Sequence, residues 1–246
     1  MIEKSFLEQY AVKTQTSLRN ILREYFQHLF LFNFYKGKES EHFYFKGGTA
    51  LKLIFNSPRF SEDLDFSADK NSFTFENVFE KVLLQIQKEG IDANLLESKK
   101  TTNGHLAIIK FTIYNERFEI KTEVSYRKKN LIGEKLLVFS DFFPSYVVNV
   151  LQVGDLIGEK QTALLERRKA RDFFDLYFIL RNHNLRRFLK IDNDFLITLK
   201  KLLEKKDLKQ IEEEIKPFLP KSFWIILKDF KKNLIKELEK LGSLKI

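Results

Sequence analysis

Lys46-Gly47-Gly48-Thr49-Ala50-Leu51 and, a few residues on, Arg59-Phe60-Ser61-Glu62-Asp63-Leu64-Asp65-Phe66 decide how this chain is read. Just upstream, Phe43-Tyr44-Phe45 reads as a short strand ending at the glycine pair, and a helix runs from Thr49 to Phe55 until Pro58 breaks it. Glycine lets backbone approach a ligand closely, and the N–H groups at a helix start can donate to phosphate. Asp63 to Ser67 then alternates acidic and apolar side chains, as a strand does. That alternation puts Asp63 and Asp65 on one face and Leu64 and Phe66 on the other. Adjacent carboxylates repel unless a cation lies between them. Hard oxygen donors suit Mg²⁺, which takes one or two carboxylates together with substrate phosphates. Either half of the pattern alone reads as a turn plus two solvated acids on an edge strand. The two halves together predict a metal-assisted phosphate site.

Outward from this stretch, residues 5–35 are expected to form one long helix, with Leu18, Ile21, Leu22, Tyr25, Phe26, Leu29 and Phe30 at helical spacing. A helix over 75–89 closes at Gly90, and strands are expected at 92–98, 105–114 and 117–126, with Asn115-Glu116 turning the second into the third. A short strand at 146–150 precedes helices at 152–168, 171–182, 193–204, 207–215 and 222–241. The pattern predicts an α+β fold: strands mixed with helices over 1–150, then a helical domain over 151–246, with the boundary near 145–152.

Three further positions belong to the chemistry. In Phe118-Glu119-Ile120-Lys121-Thr122-Glu123-Val124-Ser125 the apolar side chains alternate with Glu119, Lys121 and Glu123. Glu123 is expected to join Asp63 and Asp65 as a metal ligand, and Lys121 to touch phosphate. The plain alternative is a strand with one solvated face. In 152–168, Lys160 falls inside the apolar stripe of Val153, Leu156, Ile157, Ala163 and Leu164. An inward lysine is costly unless paired, so Lys160 is expected to face carboxylates or a triphosphate; the alternative is a snorkelling head group. Asp172 and Asp175 share a helix face at i, i+3, and one of them is expected to pair with Lys160 or a basic neighbour; the alternative is that they only oppose the helix dipole in its first turn. His28, His42, His105 and His183 show no metal-ligand spacing, and neither a P-loop nor a Rossmann glycine fingerprint occurs.

Composition narrows the classes. The chain has no cysteine, which removes thiolate metal sites and cysteine nucleophiles and fits a reducing compartment. No apolar run approaches the roughly 20 residues that span a bilayer, and acids stand where a secretory signal has its basic start. The protein is therefore expected to be cytoplasmic, without a membrane partner. The net charge of +9 is uneven: residues 1–150 carry 21 basic and 19 acidic side chains, residues 151–246 carry 22 and 15. Residues 160–190 hold nine basic and three acidic side chains. Such a lobe attracts polyanions, although solvated lysine-rich helices give the same count.

At these motifs the sequence resembles the AbiEii-type nucleotidyltransferase toxins of the DNA-polymerase-β-like nucleotidyltransferase superfamily. Gly47-Gly48, a spacer of 14 residues and Asp63-Leu64-Asp65 match the first motif. Lys121-Thr122-Glu123 resembles the second, with Glu where Asp often stands. Asp155-Leu156-Ile157-Gly158-Glu159-Lys160 resembles the third and Arg171-Asp172-Phe173-Phe174-Asp175-Leu176-Tyr177 the fourth. The resemblance covers residues 43 to about 180 and implies a short mixed sheet with flanking helices, followed by a helical domain. It also implies divalent metal, Mg²⁺ or Mn²⁺, and a nucleoside triphosphate as substrate. Some relatives modify the 3′ acceptor end of tRNA, and such toxins are usually encoded beside an antitoxin. The roles that follow give Gly47, Gly48, Thr49 and Ser61 to the triphosphate and Asp63, Asp65 and Glu123 to the metal, with Glu123 alternatively the base towards the acceptor hydroxyl. Lys121 and Lys160 go to phosphate, Asp172 to positioning Lys160, and Arg59 with residues 167–171 to steering an RNA acceptor. The rival readings are a catalytically silent nucleotide- or RNA-binding protein, which would not release pyrophosphate with Mg²⁺, and a docking protein, which has no need of acids on two strands.

Overall fold

A computed structural model of the chain describes residues 2–69, 75–126 and 131–242. They divide into two compact units: residues 1–56 with 60–152, and residues 57–59 with 153–246.

The first unit is built on a seven-stranded mixed sheet. Helices α1 (Lys4–Lys13) and α2 (Leu18–Phe34) precede β1 (Phe43–Lys46), α3 (Gly47–Leu53), β2 (Leu64–Ala68) and α4 (Phe75–Lys88). Strands β3 (Asp92–Thr101), β4 (Gly104–Ile113), β5 (Glu116–Ser125), β6 (Gly133–Val138) and β7 (Tyr146–Leu151) follow. The order across the sheet is β3-β4-β5-β2-β1-β7-β6. The pairs β1–β7 and β2–β5 are parallel, and the other neighbours are antiparallel.

Register separates the two faces of the sheet. Phe45 pairs with Phe66, Phe66 with Val124 and Phe111 with Phe118, so these side chains share one face. They pack under α2 and α4 as a phenylalanine core: Phe26 stacks on Phe111 with centroids 3.8 Å apart, Phe34 meets Phe66, and Phe30 meets Phe79. Burying each ring is worth about 1.5–3 kcal/mol, and aromatic pairing adds about 0.5–1.5. The alternation that buries these rings turns Lys46, Asp65, Lys121 and Glu123 to the opposite face.

Several expected elements differ. The long helix over 5–35 is two helices. Gln15 adopts the left-handed region at φ 56°, and Ser17 caps α2 by accepting from the Asn20 N–H at 3.2 Å. The hairpin turn lies at Tyr114-Asn115, both with positive φ, one residue earlier than expected. That is the backbone of a type I′ turn, made here without glycine. Helix α3 begins at Gly47 and ends at Leu53, well before Pro58, and Asn56 then takes φ 59°. Strand β6 had no counterpart in the expectation.

The second unit is helical: α5 (Val153–Arg167), α6 (Ala170–Arg181), α7 (His183–Arg186), α8 (Asn193–Lys205), α9 (Leu208–Ile215), α10 (Ile225–Lys228) and α11 (Phe230–Gly242). Helix α6 is central, burying Phe173, Phe174, Leu176, Tyr177 and Leu180. The helix expected over 222–241 is interrupted at Asp229, and Phe230 enters the core against Phe174 and Tyr177. Gln161 in α5 bonds both ways to Lys190, donating to its carbonyl and accepting from its N–H, each at 3.0 Å. Among the described residues no helix is long and apolar enough to cross a membrane.

Candidate active site

The glycine turn and the acids meet on the charged face of the first unit. Lys46 ends β1 level with Asp65, and Asp65 is level with Glu123 on β5. Gly47 follows at once with φ 82°, a conformation that side chains resist. A Cβ there would collide with the Asp65 carboxylate, coming within 2.8 Å of its Cγ. Gly47 is therefore required twice: for its backbone angle, and to let that carboxylate lie against the turn.

Asp63 is not part of β2, which begins at Leu64. Strand alternation alone therefore does not orient its side chain, contrary to the expectation. Its carbonyl instead accepts a hydrogen bond from the Thr49 hydroxyl, and Thr49 is fully buried. The hydroxyl expected to meet triphosphate is thus committed to holding Asp63. Gly48 is buried behind the same turn. The Ser61 carbonyl accepts from the Gln27 side-chain amide at 2.9 Å.

Lys121 and Glu123 are both about half exposed and form an ion pair with each other. The Glu123 hydrogen bond, together with the charges of Glu123, Asp63 and Asp65, raises the Lys121 pKa despite partial burial. The ammonium thus lies in the field of all three acids. Among the described residues no three His, Cys, Asp or Glu side chains come together as a ready metal cage. Of the expected set of Asp63, Asp65 and Glu123, Glu123 is paired with Lys121 in this structure. The donors still fit magnesium, which needs only one or two carboxylates when phosphates supply the rest.

In the second unit Lys160 points inward, as its place in the stripe predicts, but its partner is Asp175 and not Asp172. Lys160 Nζ donates to Asp175 Oδ2 at 2.7 Å. Arg59 Nε and Nη2 donate to the two oxygens of the same carboxylate at 2.8 and 3.0 Å. Asp175 is 1 % exposed. Burial pushes its pKa up, yet Arg59 and then Lys160 outweigh that and hold it at about 2. Asp172 instead accepts from the Lys169 N–H at 3.1 Å, capping α6, and from Arg167 Nη2 at 2.8 Å. Both carboxylates lie on the predicted face, and Asp175 is the one that takes Lys160. Arg59 is buried in this pair, which corrects its expected role in steering an acceptor.

Gln27, Arg23 and Lys46 were not anticipated from the sequence. Arg23 Nη1 bonds Glu62 Oε1 at 2.8 Å, and Asn20, Arg23 and Gln27 are all buried. The signal present in the chain was their spacing, a polar stripe at i, i+3 and i+7 in an otherwise apolar helix.

A glycine turn closed on an acid-bearing strand, with a second acid on the parallel neighbour, fits a nucleotidyltransferase-type fold. Residues 29–238 match the family described as nucleotidyl transferase AbiEii toxin, type IV TA system. The chain belongs to this family of toxins and is a nucleotidyltransferase. It is 30 % identical over 207 residues to the uncharacterized protein aq_aa25 of Aquifex aeolicus (strain VF5), covering 79 % of this chain and 87 % of that one. The fold is similar to MenT4, a nucleotidyltransferase toxin of Mycobacterium tuberculosis H37Rv, with TM-score 0.62, 18 % identity, and coverage of 96 % of this chain and 88 % of that one. It is also similar to JHP933 from Helicobacter pylori, with TM-score 0.55, 21 % identity, and coverage of 94 % and 100 %.

Proposed function

We propose that this nucleotidyltransferase moves a nucleoside monophosphate from a nucleoside triphosphate to an RNA acceptor, as the toxin of a pair with a cognate antitoxin. The observation that carries the chemical part is the contact of Asp65 with the Gly47 turn, in a row with Lys46 and Glu123.

In this reading the acceptor hydroxyl attacks the α-phosphorus and pyrophosphate leaves. Backbone N–H groups at Gly47 and Gly48 receive the phosphates, since the first N–H groups of a helix lack intrahelical partners. Asp63 and Asp65 hold Mg²⁺ or Mn²⁺, which neutralises charge on the transferring group. Thr49 acts by holding Asp63 rather than by touching phosphate. Ser61 serves through its main chain, in the segment that leads into Asp63. Lys121 contacts phosphate, and Glu123 holds Lys121 in place. The family motif assigns Lys160 to phosphate, and its inward ammonium, held by Asp175, is consistent with that role. Asp172 serves α6 as its cap and so supports Asp175 indirectly. RNA as acceptor is supported by the basic excess of residues 151–246, and the tRNA 3′ end and the antitoxin by the family.

The test is incubation with each α-labelled triphosphate, Mg²⁺ and total cellular RNA or protein. Label is expected in RNA. Asp65→Asn is expected to abolish labelling while circular dichroism and melting stay close to wild type. Retained transfer by that variant would remove Asp65 from the metal site; label in protein alone would replace the acceptor.

A further inference from the structure

The segment Ser61-Glu62-Asp63 lies just outside β2, so no strand ladder fixes it. Buried side chains hold it instead. Gln27 of α2 is 2 % exposed, and its Nε2 donates to the Ser61 carbonyl at 2.9 Å and to the Glu62 carbonyl at 3.2 Å. One turn earlier on α2, Arg23 grips the Glu62 carboxylate at 2.8 Å. Thr49 of α3 binds the Asp63 carbonyl. Three consecutive residues leading into the acid-bearing strand are therefore each tied to a side chain from another element. A side-chain amide that spends both N–H groups on two successive carbonyls sets the path of that backbone, and hence where the next carboxylate points.

We propose that Gln27 is a positioning residue for nucleotidyl transfer: it fixes the main chain ahead of Asp63 so that this carboxylate stands beside Asp65 for divalent metal. The inference rests on the assignment of Asp63 to the metal made above. Groups that orient a metal ligand typically matter by about 10–100-fold in metal affinity or activity. A glutamine that served the core alone would affect melting, not metal dependence.

Gln27→Met keeps length and volume but has no donor, and Gln27→Glu keeps shape but, ionised, sets acceptors against the two carbonyls. Each is compared with wild type for melting, for the Mg²⁺ concentration giving half-maximal transfer, and for binding of Mn²⁺ alone by electron paramagnetic resonance. We expect half-saturating Mg²⁺ and the Mn²⁺ dissociation constant to rise about 10-fold in Gln27→Met. Gln27→Glu, which loses both donors as well, should show a rise at least as large, with both proteins folded at the assay temperature. If Gln27→Met melts too low, Gln27→Glu is read in its place. Metal dependence unchanged in a folded variant overturns the role of Gln27 alone. Wild-type transfer that needs no divalent metal and binds no Mn²⁺ overturns the assignment of Asp63, and this inference with it.

Discussion

Asp175 shows how one carboxylate can tie a site to pH. It is buried with two cations on it, and its pKa falls from the usual 3.8 to about 2. The unfolded chain therefore takes up the proton before the folded one does. The stabilisation is complete above about pH 4 and is lost as pH falls from there through 2. At neutral pH, Asp175→Asn should cost about 3–5 kcal/mol, because Arg59 and Lys160 would be left buried without their counter-charge. The gap in melting temperature between wild type and variant should then narrow as pH drops from 4 to 2. A gap that stays constant over that window would show that the ion pair does not stabilise the fold. The sequence marked Asp172 and Asp175 as sharing a face and Lys160 as inward, and both features are present. It could not say which carboxylate takes the lysine, because the deciding partner, Arg59, is 116 positions away in the chain from Asp175.

At the scale of elements, strands and their faces were legible because alternation leaves one pattern on each. Phe118, Ile120 and Val124 against Glu119, Lys121 and Glu123 gave β5 and its orientation. Helix interruptions were not legible, since apolar spacing continues across them. The break before α2 depends on a left-handed Gln15 and a capping Ser17, and both residue types also occur inside helices. This makes Ser17 a sharp test of the boundary. Ser17→Ala removes the acceptor for the Asn20 N–H and should cost about 1 kcal/mol. For a chain of this size that lowers the melting temperature by about 2–4 °C. An unchanged melting curve would mean that one continuous helix, with Ser17 in its interior, describes this region better. The clamp on Ser61–Asp63 was hidden for a similar reason: Gln27 looks like one polar residue in an apolar helix until its carbonyl partners 34 and 35 positions along the chain are known.

For the molecule as a whole, charge is distributed by unit. Residues 151–246 carry 22 basic and 15 acidic side chains, whereas 1–150 are nearly balanced at 21 and 19. The phosphate chemistry proposed for the balanced unit uses a few cations at fixed positions, so the excess elsewhere is available to something larger than a triphosphate. Arg168, Lys169 and Arg187 are exposed on the helical unit. Binding of a polyanion by such residues releases counter-ions, and affinity then falls with salt in proportion to the number of phosphates neutralised. If RNA is the acceptor, replacing Arg168, Lys169 and Arg187 with Ala should flatten the plot of log affinity against log salt by about two to three, roughly 0.7–0.9 for each phosphate left without its cation. Triphosphate binding, measured separately by calorimetry, should be unaffected. Fluorescence anisotropy with labelled total tRNA across a salt series reads the slope directly. A slope identical to wild type would mean that the basic excess is only a solvated surface, and the acceptor would then have to be sought among proteins or reached through the first unit alone.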